Sequence, residues 1–376
     1  MTVKYMGSKR VMLKNGLGAL LERQMVGVGR FVDLFTGSGS VAIHIAQKYN
    51  VSVLAFDLQT YSTILTNAVI SRIAKIDWES AWNKWHRNSQ AQFIRHVIPN
   101  EVKITQAIVS EFREWCACQT LPITRAYGGH YYSPQQTVWI DTLRANLPAN
   151  EPLRTVALAA LIQASSHSAA SPGHTAQPFQ PTRTAKPHLQ KAWNFDVVEK
   201  TKSSFKELSG QFAKQIGNAR VADANETTDE LTERDLVFID TPYSGEHYSR
   251  FYHVLETIAV GKCGEVSGVG RYPSRDLRPQ SKFSLKTKSV EALDDLLAKI
   301  AKRQSKAILT FPDHQCSNGL SGEMVREIAS EYFHVQEKVV QSDFSTMGGT
   351  RVSGNDEAGR EPRQAAKELI LILKPK

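Results

Sequence analysis

At 376 residues the chain can bury a full α/β core and still carry a second lobe or a large insertion. Hydrophobic content of 41% and charged content of 22% are those of a globular protein, and no run reaches the length of a membrane span. Residues 1–10 lack the apolar core of a signal peptide, so the expected location is cytoplasmic, with no membrane partner. The net charge of +9 suits a polyanionic partner, because Lys and Arg displace condensed counterions from nucleic acid. Cys116, Cys118, Cys263 and Cys316 form no C-x-x-C pair and no His cluster completes a zinc site, so no metal is expected.

Residues 31–35 predict a short apolar strand, 36–40 a tight turn containing Gly37 and Gly39, 41–47 a helix, and 51–56 a second strand ending at Asp57. Two closely spaced strands joined by a helix make a βαβ unit, hence a parallel sheet. From about residue 70 the texture changes, and all six tryptophans fall between there and residue 193. The stretch up to residue 114 predicts helices broken at Pro99, and residues 153–163 a buried helix. Residues 165–191, rich in Ser, Pro, His, Thr and Gln, predict an ordered surface loop or a linker. The α/β pattern resumes near residue 219, with a buried strand over 236–239 ending at Asp240 and a Gly-, Ser- and Arg/Lys-rich loop over 261–290. Helices are expected over 290–303 and 322–333, and strands over 306–311, 335–340 and 368–373. The simplest architecture is one parallel-sheet domain, residues 1–70 and 216–376, interrupted by a largely helical inserted region, 71–215.

Asp240-Thr241-Pro242-Tyr243 is the strongest chemical signal. It follows an apolar strand directly, where open α/β sheets place their ligands. Methylating an aromatic amine requires drawing its lone pair out of conjugation with the ring. A carboxylate and a backbone carbonyl that accept the two N–H bonds do this, while an aromatic face holds the base by stacking. Asp240, the Thr241 carbonyl and the Tyr243 ring supply these parts within four residues. Gly37 and Gly39 allow close backbone approach to a ligand, and Asp57 at the end of the next strand can bind both hydroxyls of a ribose. A nicotinamide dinucleotide would fit the turn as well, but the third glycine of that fingerprint is missing.

With these residues in place the chain resembles the Dam-like class of N6-adenine DNA methyltransferases over nearly its whole length. That resemblance implies a Rossmann-like methyltransferase sheet, mostly parallel with a closing antiparallel strand, and S-adenosyl-L-methionine as cofactor. Lys4-Tyr5-Met6-Gly7-Ser8-Lys9 is similar to the family's N-terminal motif, with Tyr5 where Trp is usual. By that likeness Tyr5 and Lys9 line the cofactor site, Asp33, Phe35, Gly37 and Gly39 cradle its methionine part, Asp57 holds the ribose and Asp223 lies near its adenine, with Asp240 bordering both ligands. The family tetrapeptide is usually Asp-Pro-Pro-Tyr; Thr241 at the second place leaves the accepting carbonyl in position.

The resemblance also implies double-stranded DNA as partner and leaves room for a restriction or defence-system partner. Three aromatic and polar segments, at 131–134, 171–177 and 247–252, are similar to those of longer members of the class. They bring His174, Tyr248 and Arg250 to the expected DNA face, and the basic loop adds Arg271, Arg275, Arg278 and Lys282. The inserted region is expected to supply much of the target recognition. N4 of cytosine is the alternative methyl acceptor, and a catalytically silent DNA-binding protein on the same scaffold is the alternative of another class.

Overall fold

A computed structural model describes residues 3–4, 9–99, 104–345 and 363–376; for 341–345 and 363–366 it is described through the backbone alone. Nine strands occur among these residues: β1 (Arg30–Asp33), β2 (Ser52–Asp57), β3 (Asn218–Val221), β4 (Asp235–Ile239), β5 (Val266–Ser267), β6 (Tyr272–Pro273), β7 (Lys306–Pro312), β8 (Phe333–Ser345) and β9 (Arg363–Pro375). Seven of them form one sheet in the order β3-β2-β1-β4-β7-β9-β8, while β5 and β6 pair in a separate small ribbon. Pairs β3/β2, β2/β1, β1/β4 and β4/β7 are parallel, and β9 runs antiparallel to both β7 and β8. The mostly parallel sheet with an antiparallel closing strand agrees with the expected fold.

Side-chain alternation divides the sheet into two buried faces. Phe31, Val53, Leu236, Phe238 and Ile308 point to one face, where they meet Leu20, Leu21, Val41, Ala42 and Ile45 from the helices Gly18–Gln24 and Ser40–Lys48. Val32, Val237, Ile239, Ala307 and Leu309 point to the other, against the helices Ser289–Lys302 and Gly322–Tyr332. Strand β4 is buried along its whole length, as a central strand covered on both faces must be.

A third core lies in the helical region. Tyr61, Leu65 and Val69 of the helix Thr60–Ile70 pack with residues of Leu153–Ser168 and Val197–Ser209, and with Phe251, Tyr252 and Leu255 of Tyr248–Val260. Helices on either side of residues 71–215 in the sequence, Thr60–Ile70 and Tyr248–Val260, thus share one apolar interior with helices from within that span. Two local expectations change. The buried helix runs on to Ser168, and Ala169, Ala170, Ser171 and Thr175 beyond it are buried rather than spread over the surface. A further helix, Lys186–Trp193, occupies the end of the segment expected as loop, anchored by Leu189 and Trp193. Its polar composition hid the two apolar anchors.

Candidate functional site

Strand order reverses between β1 and β4, and the crevice beyond the carboxyl ends of those strands is where such sheets bind ligands. A cleft of about 980 Å³, counted to its open mouth, lies there. It is lined by Asp33, Phe35 and Gly37 after β1, Asp57 after β2, Asp223 after β3, and Asp240, Thr241, Pro242 and Tyr243 after β4. The glycine turn and the acidic tetrapeptide, just over two hundred positions apart in the sequence (203 from Gly37 to Asp240), therefore border one cavity.

The turn is built by local bonds. Thr36 N–H donates to the Phe56 carbonyl at 3.0 Å, and Gly37 N–H donates to Asp57 Oδ2 at 2.8 Å, so the turn is tied to the end of β2. Gly37 and Gly39 both have positive φ, 54° and 74°. Their surroundings differ. Gly37 lines the cleft, whereas Gly39 starts the helix Ser40–Lys48 and packs behind the wall, where a Cβ would meet Thr66 Oγ1 at 2.6 Å.

Among the described residues Asp33, Asp57 and Asp223 of the cleft have no cation beside them, whereas Asp240 has one. Asp33 is 1% exposed; burial pushes its carboxyl up to about 8, against the Phe35 N–H bond that favours its charge, and with Asp240 and Asp57 adding repulsion. Asp57 is pushed up to about 6 by burial, although Gly37 N–H and Gln59 N–H both donate to it. Asp240 behaves otherwise: Lys9 Nζ lies 2.9 Å from its Oδ1 and Thr310 Oγ1 donates to the same oxygen at 2.9 Å. Lys9 also lies 2.7 Å from Glu368 Oε1 of β9. Burial raises the Asp240 carboxyl, and Lys9 opposes that rise.

Four buried side-chain oxygens lining the cleft have no hydrogen-bond partner among the described residues: Gln59 Oε1, Thr241 Oγ1, Ser249 Oγ and Ser284 Oγ. An unsatisfied buried polar atom costs about 1–3 kcal/mol, so such a concentration marks a surface completed by a polar ligand. Uncompensated carboxylates and unpartnered oxygens together fit a cationic, hydroxyl-rich ligand, as S-adenosyl-L-methionine is. The roof of the cleft is Pro279, Ser281, Phe283 and Ser284, with the Phe283 ring edge-on to Phe35 at 5.0 Å. Among the described residues no group of three or more His, Cys, Asp or Glu is placed to hold a metal, and no helix is long and apolar enough to cross a membrane.

Residues expected on a DNA face differ in their surroundings. Tyr248 lines the cleft beside Tyr243, with a hydrogen bond between the two hydroxyl-bearing side chains. Arg250 pairs with Glu246 at 2.7 Å and lies over the Tyr272 ring, 5.1 Å from its centroid; Arg278 lies over the same ring at 5.5 Å. Arg275 and Lys282 are exposed. Arg271 turns inward, its Nε donating to the Ala126 carbonyl at 2.9 Å. His174 is held by its own loop, Nδ1 accepting from Ala176 N–H and the ring tilted on Phe251, and burial lowers its pKa. Tyr5 lies outside the described residues.

Several residues carried no sequence signal: Gln59 and the roof at 279–284, which line the cleft, and Thr310 and Glu368, which reach Asp240 and Lys9. Asn318 is another. It is fully buried, and its Nδ2 donates to the Pro242 carbonyl at 2.9 Å and to the Phe283 carbonyl at 3.0 Å, tying tetrapeptide to roof. An acid at the head of an otherwise apolar closing strand is the one cue that could have singled out Glu368.

Two relatives are modification methylases: StsI of Streptococcus sanguinis, 24% identical over 79% of this chain, and LlaI of Lactococcus lactis subsp. lactis, 23% identical over 79%. The matches cover 42% and 44% of those proteins, so the chain spans less than half the length of either. The model of the D12 class N6 adenine-specific DNA methyltransferases matches residues 5–309, from the N-terminal motif through the glycine turn and the tetrapeptide into β7. With four fifths of its length covered by that match, the chain belongs to the D12 class N6 adenine-specific DNA methyltransferase family.

Proposed function

We propose that the protein methylates N6 of an adenine extruded from double-stranded DNA, with S-adenosyl-L-methionine as methyl donor, at a specific site. The observation that carries this reading is the shared cleft: the glycine turn, the buried unpaired acids and Asp240–Tyr243 all face one space. Asp33, Phe35, Gly37, Asp57 and Asp223 hold the cofactor, Asp33 and Asp57 offering negative charge to a cation. The bound cofactor supplies an electrophilic methyl group. Asp240 accepts one N–H of the target amine and the Thr241 carbonyl the other, so that the nitrogen lone pair turns out of the ring plane. Tyr243, beside Tyr248, offers a face on which the base stacks, offsetting the few kcal/mol lost when a base leaves the duplex.

Arg275, Arg278 and Lys282 supply phosphate contacts, with Arg250 and Tyr248 at the rim, and the inserted region 71–215 contributes target recognition. The chemistry of the site needs no general base before methyl transfer, which fits a His174 turned to its own loop. A restriction or defence-system partner accords with the names of the two modification methylases, and the location proposed is cytoplasmic.

The test is transfer of labelled methyl to duplex DNA, followed by digestion and identification of the modified base. N6-methyladenine is the expected product. N4-methylcytosine would assign the same amine chemistry to the other base, and no transfer with no cofactor binding would indicate a silent DNA-binding module.

A further inference from the structure

The tetrapeptide is braced from the part of the chain that the family model does not reach. Thr310, Asn318 and Glu368 all lie beyond residue 309, and each bears on Asp240 or Pro242, directly or through one residue. Thr310 reaches Asp240 and Glu368 reaches Lys9 because β7 lies between β4 and β9 in the sheet, with Glu368 opposite Pro312 across the β7/β9 ladder.

A lysine ammonium on a four-carbon stem has three donors and little directional preference. Beside a lone carboxylate it would be free to straddle both oxygens, and Asp240 would then have none left for a substrate. Here Lys9 is 6% exposed and shared between two acids, Asp240 Oδ1 at 2.9 Å and Glu368 Oε1 at 2.7 Å. Thr310 Oγ1 takes the same Asp240 oxygen. Burial alone would pull the Lys9 ammonium down, but Asp240 and Glu368 outweigh it and hold it above the ordinary lysine range. Tyr243 also faces Lys9, and Asp33 faces Asp240.

We infer that Glu368 is a positioning residue for the reaction: by drawing Lys9 toward β9 it keeps the ammonium on Oδ1 of Asp240 and leaves Oδ2 to accept the N–H of the target amine. The inference rests on the proposed reading of Asp240 as the amine acceptor, but the placement of Lys9 can be tested apart from activity. Glu368 does not touch the cofactor or the base in this account. Its loss should therefore change turnover and not cofactor affinity.

The experiment compares the wild-type chain with Glu368→Gln, which keeps shape and loses charge, and Glu368→Asp, which keeps charge. Two readouts are taken. The first is the rate at which Lys9 is acylated by acetic anhydride, followed by peptide mass spectrometry; only the unprotonated amine reacts, so the rate reports its pairing. The second is methyl transfer at saturating DNA, together with S-adenosyl-L-methionine affinity. Glu368→Gln should accelerate Lys9 acylation at least several-fold and lower kcat by about 10- to 100-fold, as displacement of a reacting group by a fraction of an ångström does. Cofactor affinity should stay within about twofold, and Glu368→Asp should recover most of the loss, since the carboxylate is retained. Unchanged acylation in Glu368→Gln would overturn the placement whether or not the enzyme transfers methyl. Faster acylation with unchanged kcat would overturn the positioning role. Absence of transfer in the wild type would count against the proposed function alone, leaving the acylation result to decide the placement.

Discussion

The two ends of the central strand pair β1/β4 treat buried acids in opposite ways. At the amino-terminal end Asp235 is 3% exposed and fully matched: Arg30 Nε and Nη2 donate to its two oxygens at 3.0 and 2.7 Å, and Thr232 N–H adds a third bond. At the carboxyl end Asp33 is as deeply buried, has no cation among the described residues, and is pushed up to about 8. One acid completes the fold and the other strains it. A buried charge left without a counterion costs stability, so it persists where a ligand brings the counter-charge.

The largest effect expected is on chemistry. Asp240→Ala should leave duplex binding close to wild type and lower methyl transfer by about 10³-fold, the scale of losing a principal transition-state contact; single-turnover transfer measured beside DNA binding checks it. Near-normal transfer would remove Asp240 from the reaction.

Next comes the carboxyl end itself. Asp33→Asn should weaken S-adenosyl-L-methionine by about 10- to 100-fold, the loss of a hydrogen bond or contact to charge, while raising the stability of the ligand-free protein. The pH dependence carries a defined sign. The Asp33 pKa is raised on folding, so its contribution to stability is full below the ordinary carboxylate range and is lost as pH rises through about 8. A cation binds the ionised form better, so cofactor affinity should climb between pH 6 and 7.5, by up to about tenfold per unit. Calorimetry across that range should show the slope in the wild type and a flatter one in Asp33→Asn.

The amino-terminal end should respond the other way. Asp235→Asn should cost about 2 kcal/mol of folding stability, less than the 3–5 kcal/mol of a fully buried pair because Arg30 keeps access to water. Denaturant unfolding measures it, and cofactor affinity should not move. Loss of cofactor binding in a folded Asp235→Asn protein would erase the distinction between the two ends.

The smallest effect concerns the mouth. Neutralising Arg275 and Arg278 together should reduce the salt dependence of DNA binding by at most about 1.8 in the log–log slope, two contacts at about 0.9 each. Arg271→Met, whose guanidinium already serves the Ala126 carbonyl, should leave that slope alone and cost about 1 kcal/mol of stability.

The side of the cleft proposed for the cofactor was legible in the sequence because its parts are local. An apolar strand ending in Asp, a glycine turn, and a second strand ending in Asp each declare themselves within a few residues, and parallel sheets set such ends side by side. The DNA side was less legible. Composition marks 261–290 as basic, but says nothing of which cations the loop spends on itself. Arg271 serves the Ala126 backbone carbonyl.

Local pattern in the chain was thus sufficient for the α/β class, the strand-end acids and the tetrapeptide, since strand period and turn chemistry act between near neighbours. It could not indicate that Lys9, Asp240 and Glu368 meet, or that Asn318 ties the tetrapeptide to its roof. Those contacts depend on β9 pairing beside β7, and on pleat parity turning Glu368 toward Lys9. A register is settled by what the whole sheet can bury, a sum over strands hundreds of residues apart that no single segment contains.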